Sequence, residues 1–175
     1  MSKQHIPAPF CLEVSPAPCV LVLFGGTGDL ARRKLIPSLF QLHTRKLLHA
    51  TSRVVACGRT EHDDTSFRDL ARHALPPAPP DDCDAFLARF SYVRTVDTDP
   101  SSFSRLTAHL NALDKIDTPA PFNRLYYLAI PQSSYQPLVA CLAEAGLLDE
   151  PDTGGGWRHL LLEKPFGSDT SSATE

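Results

Sequence analysis

The stretch CVLVLFGGTGDLARRKLIPSLFQL, Cys19 to Leu42, constrains the fold more than any other. Val20 to Phe24 is a continuous apolar run rich in β-formers and closed by glycine, the pattern of a strand buried on both faces. From Asp29 to about Lys46 apolar residues recur at helical spacing: Leu30, Leu35, Leu39, Leu42 and Leu47. Pro37 interrupts that pattern and predicts a kink or break nearby. Only Gly25, Gly26, Thr27 and Gly28 separate strand from helix. So flexible a turn between two regular elements suits a backbone that something must approach closely.

The same alternation runs on along the chain. Strands are expected at Arg53–Cys57, Ser91–Val96, Arg124–Ile130 and His159–Glu163. Helices are expected at Asp63–Leu75, Cys83–Phe90, Pro100–Leu113 and Tyr135–Ala145, with Gly146 as a C-terminal cap. LPPAPPDDCD reads as a loop, because four prolines oppose regular structure, and Asp81 or Asp82 is positioned to cap the next helix. Strands alternating with helices at these intervals predict an α/β fold: a doubly wound parallel sheet of about five strands, with right-handed crossovers. Its domain spans 19–170, after a Pro-rich arm (1–18) and before a short tail (171–175).

Composition narrows the function classes. A net charge of −3 gives no electrostatic case for nucleic acid or an anionic membrane. The N-terminus has no signal-peptide core, and no run reaches the roughly 18 apolar residues of a membrane span. Cys11, Cys19, Cys57, Cys83 and Cys141 form no Cys-x-x-Cys pair, and the seven histidines are scattered. Buried thiols in a reducing, cytoplasmic setting fit best, with no metal site.

In a doubly wound sheet ligands sit at the carboxyl ends of the strands. The first strand-to-helix turn, Gly26-Thr27-Gly28-Asp29-Leu30-Ala31, fits G-x-G-x-x-A with Gly25 before it. Missing Cβ atoms admit a diphosphate, and a new helix offers unpaired N–H groups and partial positive charge. Arg32, Arg33 and Lys34 add cations. No Gly-Lys-Ser/Thr follows, which excludes a Walker A loop. The second strand ends in Gly58-Arg59-Thr60, where an NAD site usually has an acid for the ribose 2′-hydroxyl. A guanidinium suits a 2′-phosphate, so NADP is the expected cofactor. Glu61 keeps NAD in play.

Three segments, FGGTGDLARRKLIPSLFQL, NRLYYLAIPQSSY and LLLEKPFGSD, together resemble the glucose-6-phosphate dehydrogenase family, in the family's order and over about Cys19 to Asp169. The resemblance implies a Rossmann-like NADP domain of an enzyme oxidising glucose 6-phosphate at C1 to the 6-phospho-lactone. It assigns Gly25, Gly26, Thr27, Gly28, Asp29, Leu30, Ala31 and Arg32 to the diphosphate and Arg59 to the 2′-phosphate. It makes Tyr135 a cofactor contact, Lys164 a contact to both cofactor and sugar, and Pro165 a hinge that positions Lys164. Gln132 stands where the family usually has a second proline, which leaves that turn less constrained. Glu163 is assigned no chemistry, and His159 reads as structural.

Sugar oxidation needs a base for the hydroxyl proton. The family's base is a histidine in a downstream signature that these 175 residues do not contain, so no catalytic residue is assigned. The expectation is a fragment lacking the substrate domain, the family's homo-oligomer surface and at least one strand. Such a chain can bind NADP weakly but does not turn over. Two alternatives stand: a non-catalytic nucleotide-binding module, and a sugar dehydrogenase of another Glu-Lys-Pro family.

Overall fold

A computed structural model describes residues 16–96, 99–115, 123–150 and 156–163. Five strands form one parallel sheet: β1 (Cys19–Phe24), β2 (Arg53–Gly58), β3 (Phe90–Arg94), β4 (Asn123–Leu128) and β5 (Arg158–Leu162). Their order is β3-β2-β1-β4-β5. The chain steps outward from β1 to β3, then returns to the other side of β1. The reversal point between β1 and β4 is where this architecture opens a crevice. The expected α/β doubly wound sheet is the fold observed. The N-terminal arm up to residue 15 and the tail lie outside the described residues, as do Lys164 and Pro165.

Helices cover both faces. The first opens with a π-wound segment, Ala31–Leu35, and continues as α1 (Ile36–Thr44). It shares one face with α2 (Asp64–Arg72) and α3 (Pro80–Leu87), around Val54, Ala56, Phe67, Phe86 and Phe90. The other face carries α4 (Pro100–Leu113) and α5 (Tyr135–Glu144), around Val20, Val22, Val55, Leu106 and Leu142. Neighbouring residues of β2 enter opposite cores, so each strand must be apolar at consecutive positions. That is why the strands read as unbroken hydrophobic runs. β5, at the sheet's edge, differs: Leu160, Leu161 and Leu162 are 37–39% exposed.

Two local expectations need correction. The leucine spacing after Asp29 gives a helix as expected, but it follows the buried face only in part: Leu39 packs against the core. Leu30 and Leu42 are exposed, and Ala31, Ile36 and Phe40 are buried. The interval from Ala31 to Ile36 is five residues because the Ile36 N–H donates to the Ala31 carbonyl in a π turn. Pro37 explains the winding. It has no N–H for the Arg33 carbonyl, and its ring would crowd that oxygen in a regular helix. The expected irregularity at Pro37 is therefore a widened turn, and it rotates the apolar face. The second correction concerns α3. It starts inside the supposed loop, with Pro79 at the N-cap and Pro80 in the first turn. A proline there loses no hydrogen bond. Asp81 and Asp82 lie in that first turn and favour the helix dipole without capping it.

Asp63 caps α2 in a reciprocal box. It accepts the Ser66 N–H at 2.7 Å, while its own N–H donates to Ser66 Oγ at 3.1 Å. No helix among the described residues is long and apolar enough to cross a membrane.

Arg124 of β4 is buried, and its Nη2 lies 2.6 Å from Asp114 Oδ2, at the end of α4. Both side chains are at most 15% exposed. Asp114→Ala strands a buried guanidinium and should lower unfolding free energy by about 3 kcal/mol in urea titration. Arg124→Met removes the charge itself and should cost less; a reversed order would show that the buried charge is not the cause.

Candidate functional site

The turn after β1 sits at the reversal point of the sheet. Gly25 has φ +81°, and a Cβ there would stand 2.3 Å from the Ala129 carbonyl oxygen, just past β4. The turn thus packs directly on backbone. At Gly26 an added Cβ would meet Ala56 Cβ at 2.8 Å, so β2 closes in from the other side. The Gly25 and Gly26 amides both donate to the Cys57 carbonyl at 2.9 Å, and the Gly28 amide to Gly25 O at 2.8 Å.

Those bonds divide the labour within the turn. Gly25, Gly26 and Gly28 use their amides to hold its shape. The N–H groups at the helix start, Asp29 to Ala31, have no intrahelical acceptor by position; Asp29 and Leu30 are exposed, whereas Ala31 is buried beneath them. Regular bonding begins with the Arg32 amide on the Gly28 carbonyl at 3.1 Å. The side chains of Asp29 and Arg32 are exposed, and Arg33 Nε pairs with Asp29 Oδ1 at 2.7 Å. Arg33 is therefore partly neutralised. A cleft of about 460 Å³ opens alongside, between Asp29, Arg32, Arg33 and the end of α2 at Leu70, His73 and Ala74.

Arg59 comes directly after β2 and is exposed at the carboxyl edge. Its backbone is fixed from β3: Arg94 Nε donates to the Arg59 carbonyl at 3.0 Å, and the Tyr92 hydroxyl to the Thr60 carbonyl at 2.5 Å. The Tyr92 ring stacks on Phe67 and meets His62 edge-on. Burial pushes its phenol up to about 12. Tyr92 and Arg94 carry no local sequence signal of a site. Only the pairing of Gly58 with Arg94 brings them to this corner.

The other end of the carboxyl edge is built by β4 and β5. After Pro131, Gln132–Ser134 form one 3₁₀ turn closed by the Ser134 amide on the Pro131 carbonyl at 2.9 Å. The turn is ordered without a second proline. Tyr135 opens α5 half-buried, its hydroxyl 3.5 Å from the Glu163 carbonyl oxygen. The Tyr127 hydroxyl donates to the Glu163 carboxylate. Burial, then that bond, push the Tyr127 phenol up to about 12. Glu163 thus anchors the strand exit next to Lys164, which itself lies outside the described residues. His159 is exposed, and its ring stacks on Trp157.

A second cavity, of about 550 Å³, lies at the amino ends of β2 and β3, among His43, Lys46, His49 and Arg89. It contains none of the turn residues. Among the described residues no group of three or more His, Cys, Asp or Glu is placed to hold a metal. The four described cysteines are free thiols.

Residues 22–175 match the family model described as glucose-6-phosphate dehydrogenase, NAD binding domain. A glucose-6-phosphate 1-dehydrogenase of Aggregatibacter actinomycetemcomitans is 36% identical over 159 residues, 89% of this chain and 31% of its own length. That of Leuconostoc mesenteroides is 34% identical over 93% of this chain and 33% of its own. The chain therefore spans about a third of the length of these curated relatives. Among solved structures, the Mycobacterium avium glucose-6-phosphate 1-dehydrogenase superposes with TM-score 0.75 at 29% identity, covering 90% of this chain and 32% of that one. A glucose-6-phosphate dehydrogenase in complex with its substrate glucose-6-phosphate gives TM-score 0.78 at 26% identity, covering 89% and 32%.

Gly25→Ala forces a side chain into the Ala129 carbonyl at a positive φ. It should lower stability by at least about 2 kcal/mol in denaturant titration; a neutral substitution would mean the turn is not held against β4. The tyrosines give a pH test. Folding raises the Tyr92 and Tyr127 phenols from about 10 to about 12. Their contribution to stability is full below pH about 10 and is lost as pH rises toward 12. Burial also pushes the Tyr126 phenol up, so phenolate absorbance should show at least three of the four tyrosines ionising late. All four titrating near 10 in folded protein would refute it.

Proposed function

Because this chain belongs to the glucose-6-phosphate dehydrogenase family through its NAD-binding domain, we propose that it holds NADP across the carboxyl edge of the sheet. The observation that carries the reading is the exposed Arg59 guanidinium at the end of β2, where an NAD site would offer an acid. The residues fit the cofactor. The exposed helix-start amides of Asp29 and Leu30, with Arg32, suit a diphosphate, and buried Ala31 lets the helix pack close beneath them. The tight corner of Gly25 to Gly28 lets it come close.

The reaction proposed for the protein is oxidation of glucose 6-phosphate at C1 to the 6-phospho-lactone. These residues supply its nucleotide half. The nucleotide these residues would hold would supply the hydride acceptor. Arg59 grips the 2′-phosphate and fixes the adenosine end. Tyr135 borders the opposite end beside Glu163, and Lys164, next in the chain, is assigned to both cofactor and sugar oxygen. The base for the hydroxyl proton is expected from the family's histidine signature, which these 175 residues do not carry. The free thiols fit a reducing cytoplasm. Homo-oligomers, as expected of the family, and no nucleic-acid or membrane partner complete the reading.

Calorimetric titration with NADP and NAD tests the assignment. Loss of the charge-assisted bonds of Arg59 is worth about 1.5–3 kcal/mol. Arg59→Ala should therefore weaken NADP about 10- to 100-fold and leave NAD nearly unchanged. Equal losses for both nucleotides would remove the 2′-phosphate role.

A further inference from the structure

We propose that Arg94 is a second 2′-phosphate ligand, so that selectivity for NADP rests on a pair of guanidiniums from adjacent strands. The inference deepens the reading of Arg59 and depends on it. Arg94 ends β3 opposite Gly58, the last residue of β2. Parallel strands lie about 4.8 Å apart. Arg59 and Arg94 therefore leave the sheet side by side at the edge where ligands bind.

The bond from Arg94 Nε to the Arg59 carbonyl orients the side chain toward this corner. It engages one of the five guanidinium donors and leaves four outside that bond. Arg94 is exposed, as is Arg59. Alternation along β3 puts Arg94 on the same face as Tyr92, the α2 face, where the segment from Arg59 to Asp63 crosses. Tyr92 holds that segment through the Thr60 carbonyl. The acids nearby are already engaged: Asp63 caps α2, and Asp64 accepts the Tyr92 amide at 2.8 Å and pairs with Arg68. Glu61 is exposed on the same segment and is the one group there that favours a ribose hydroxyl over a phosphate. Two like charges held on neighbouring strand ends repel, and a phosphate dianion between them relieves that repulsion.

A purely structural Arg94 would serve only by holding the Arg59 carbonyl. Two variants of the full chain separate the roles. Arg94→Gln keeps a side-chain donor for that carbonyl and removes the charge. Arg94→Lys keeps the charge and loses the planar fork. With a direct phosphate contact, Arg94→Gln should weaken NADP about 10-fold, leave NAD within about twofold, and exceed the loss in Arg94→Lys. NADP affinity retained by Gln and lost by Lys would overturn the proposal. So would equal losses for NADP and NAD. A wild-type chain with no preference for NADP overturns the site reading as well, whereas a preference that survives Arg94→Gln overturns this proposal alone. Cooperative thermal melting of each variant shows that the comparison is between folded proteins.

Discussion

Everything at the carboxyl edge depends on how the Cys57 carbonyl is used. Cys57 is the last residue but one of β2, and its carbonyl accepts two amides, from Gly25 and Gly26, at equal distances. Those bonds pull the turn after β1 toward β2 while Gly25 rests on the Ala129 carbonyl beyond β4. Three strands are thereby tied at one point by backbone alone. Side chains there would separate them, which is why the segment is glycine-rich. The glycine amides build the corner, and the new helix supplies the donors. A diphosphate reading of the motif therefore rests on the helix start more than on the glycines themselves.

The two ends of the edge are finished by different strand pairs. β2 and β3 bring Arg59, Arg94 and Tyr92 together, so that end is cationic with an aromatic buttress. β4 and β5 bring Tyr127, Tyr135 and Glu163 together, so the other end is a hydroxyl and carboxylate cluster. The order β3-β2-β1-β4-β5 puts the glycine turn between them. A bound dinucleotide needs that arrangement, because its halves differ in charge and its diphosphate lies in the middle.

Much of this was legible in the sequence, and the remainder was hidden for identifiable physical causes. The strands could be read because a sheet buried on both faces requires unbroken apolar runs, and VLVLF and RVVAC are such runs. The places of the glycine turn and of Arg59 could be read because they are local: each directly follows a strand. The buried face of the first helix could be read only in part. Leu30 and Leu42 look like core at a period of 3.6, yet the π turn ahead of Pro37 spaces Ala31 and Ile36 five apart. Nor could α3 be started correctly, because a proline at the first helical position resembles a loop residue until its φ and N–H are accounted for. Arg94 and Tyr92 were hidden for a third reason. Their relevance comes from registry with a strand more than thirty positions away, which no local pattern encodes.

That contrast bears on how cofactor selectivity is built in such a sheet. A residue just after β2 faces the adenosine ribose whatever β3 contains, so the choice of acid or guanidinium there is a first-order determinant. The end of β3 acts differently. Its side chains reach the same corner only because parallel pairing holds Gly58 against Arg94, and they bond to the backbone of Arg59 and Thr60. Tyr92 fixes Thr60 and Arg94 fixes Arg59, so the guanidinium of Arg59 projects from a segment with little freedom left in it. Ordering a long cationic side chain on binding costs entropy, and a stem already set by its neighbours loses less. The neighbouring strand thus immobilises the Arg59 segment and places a second guanidinium beside it.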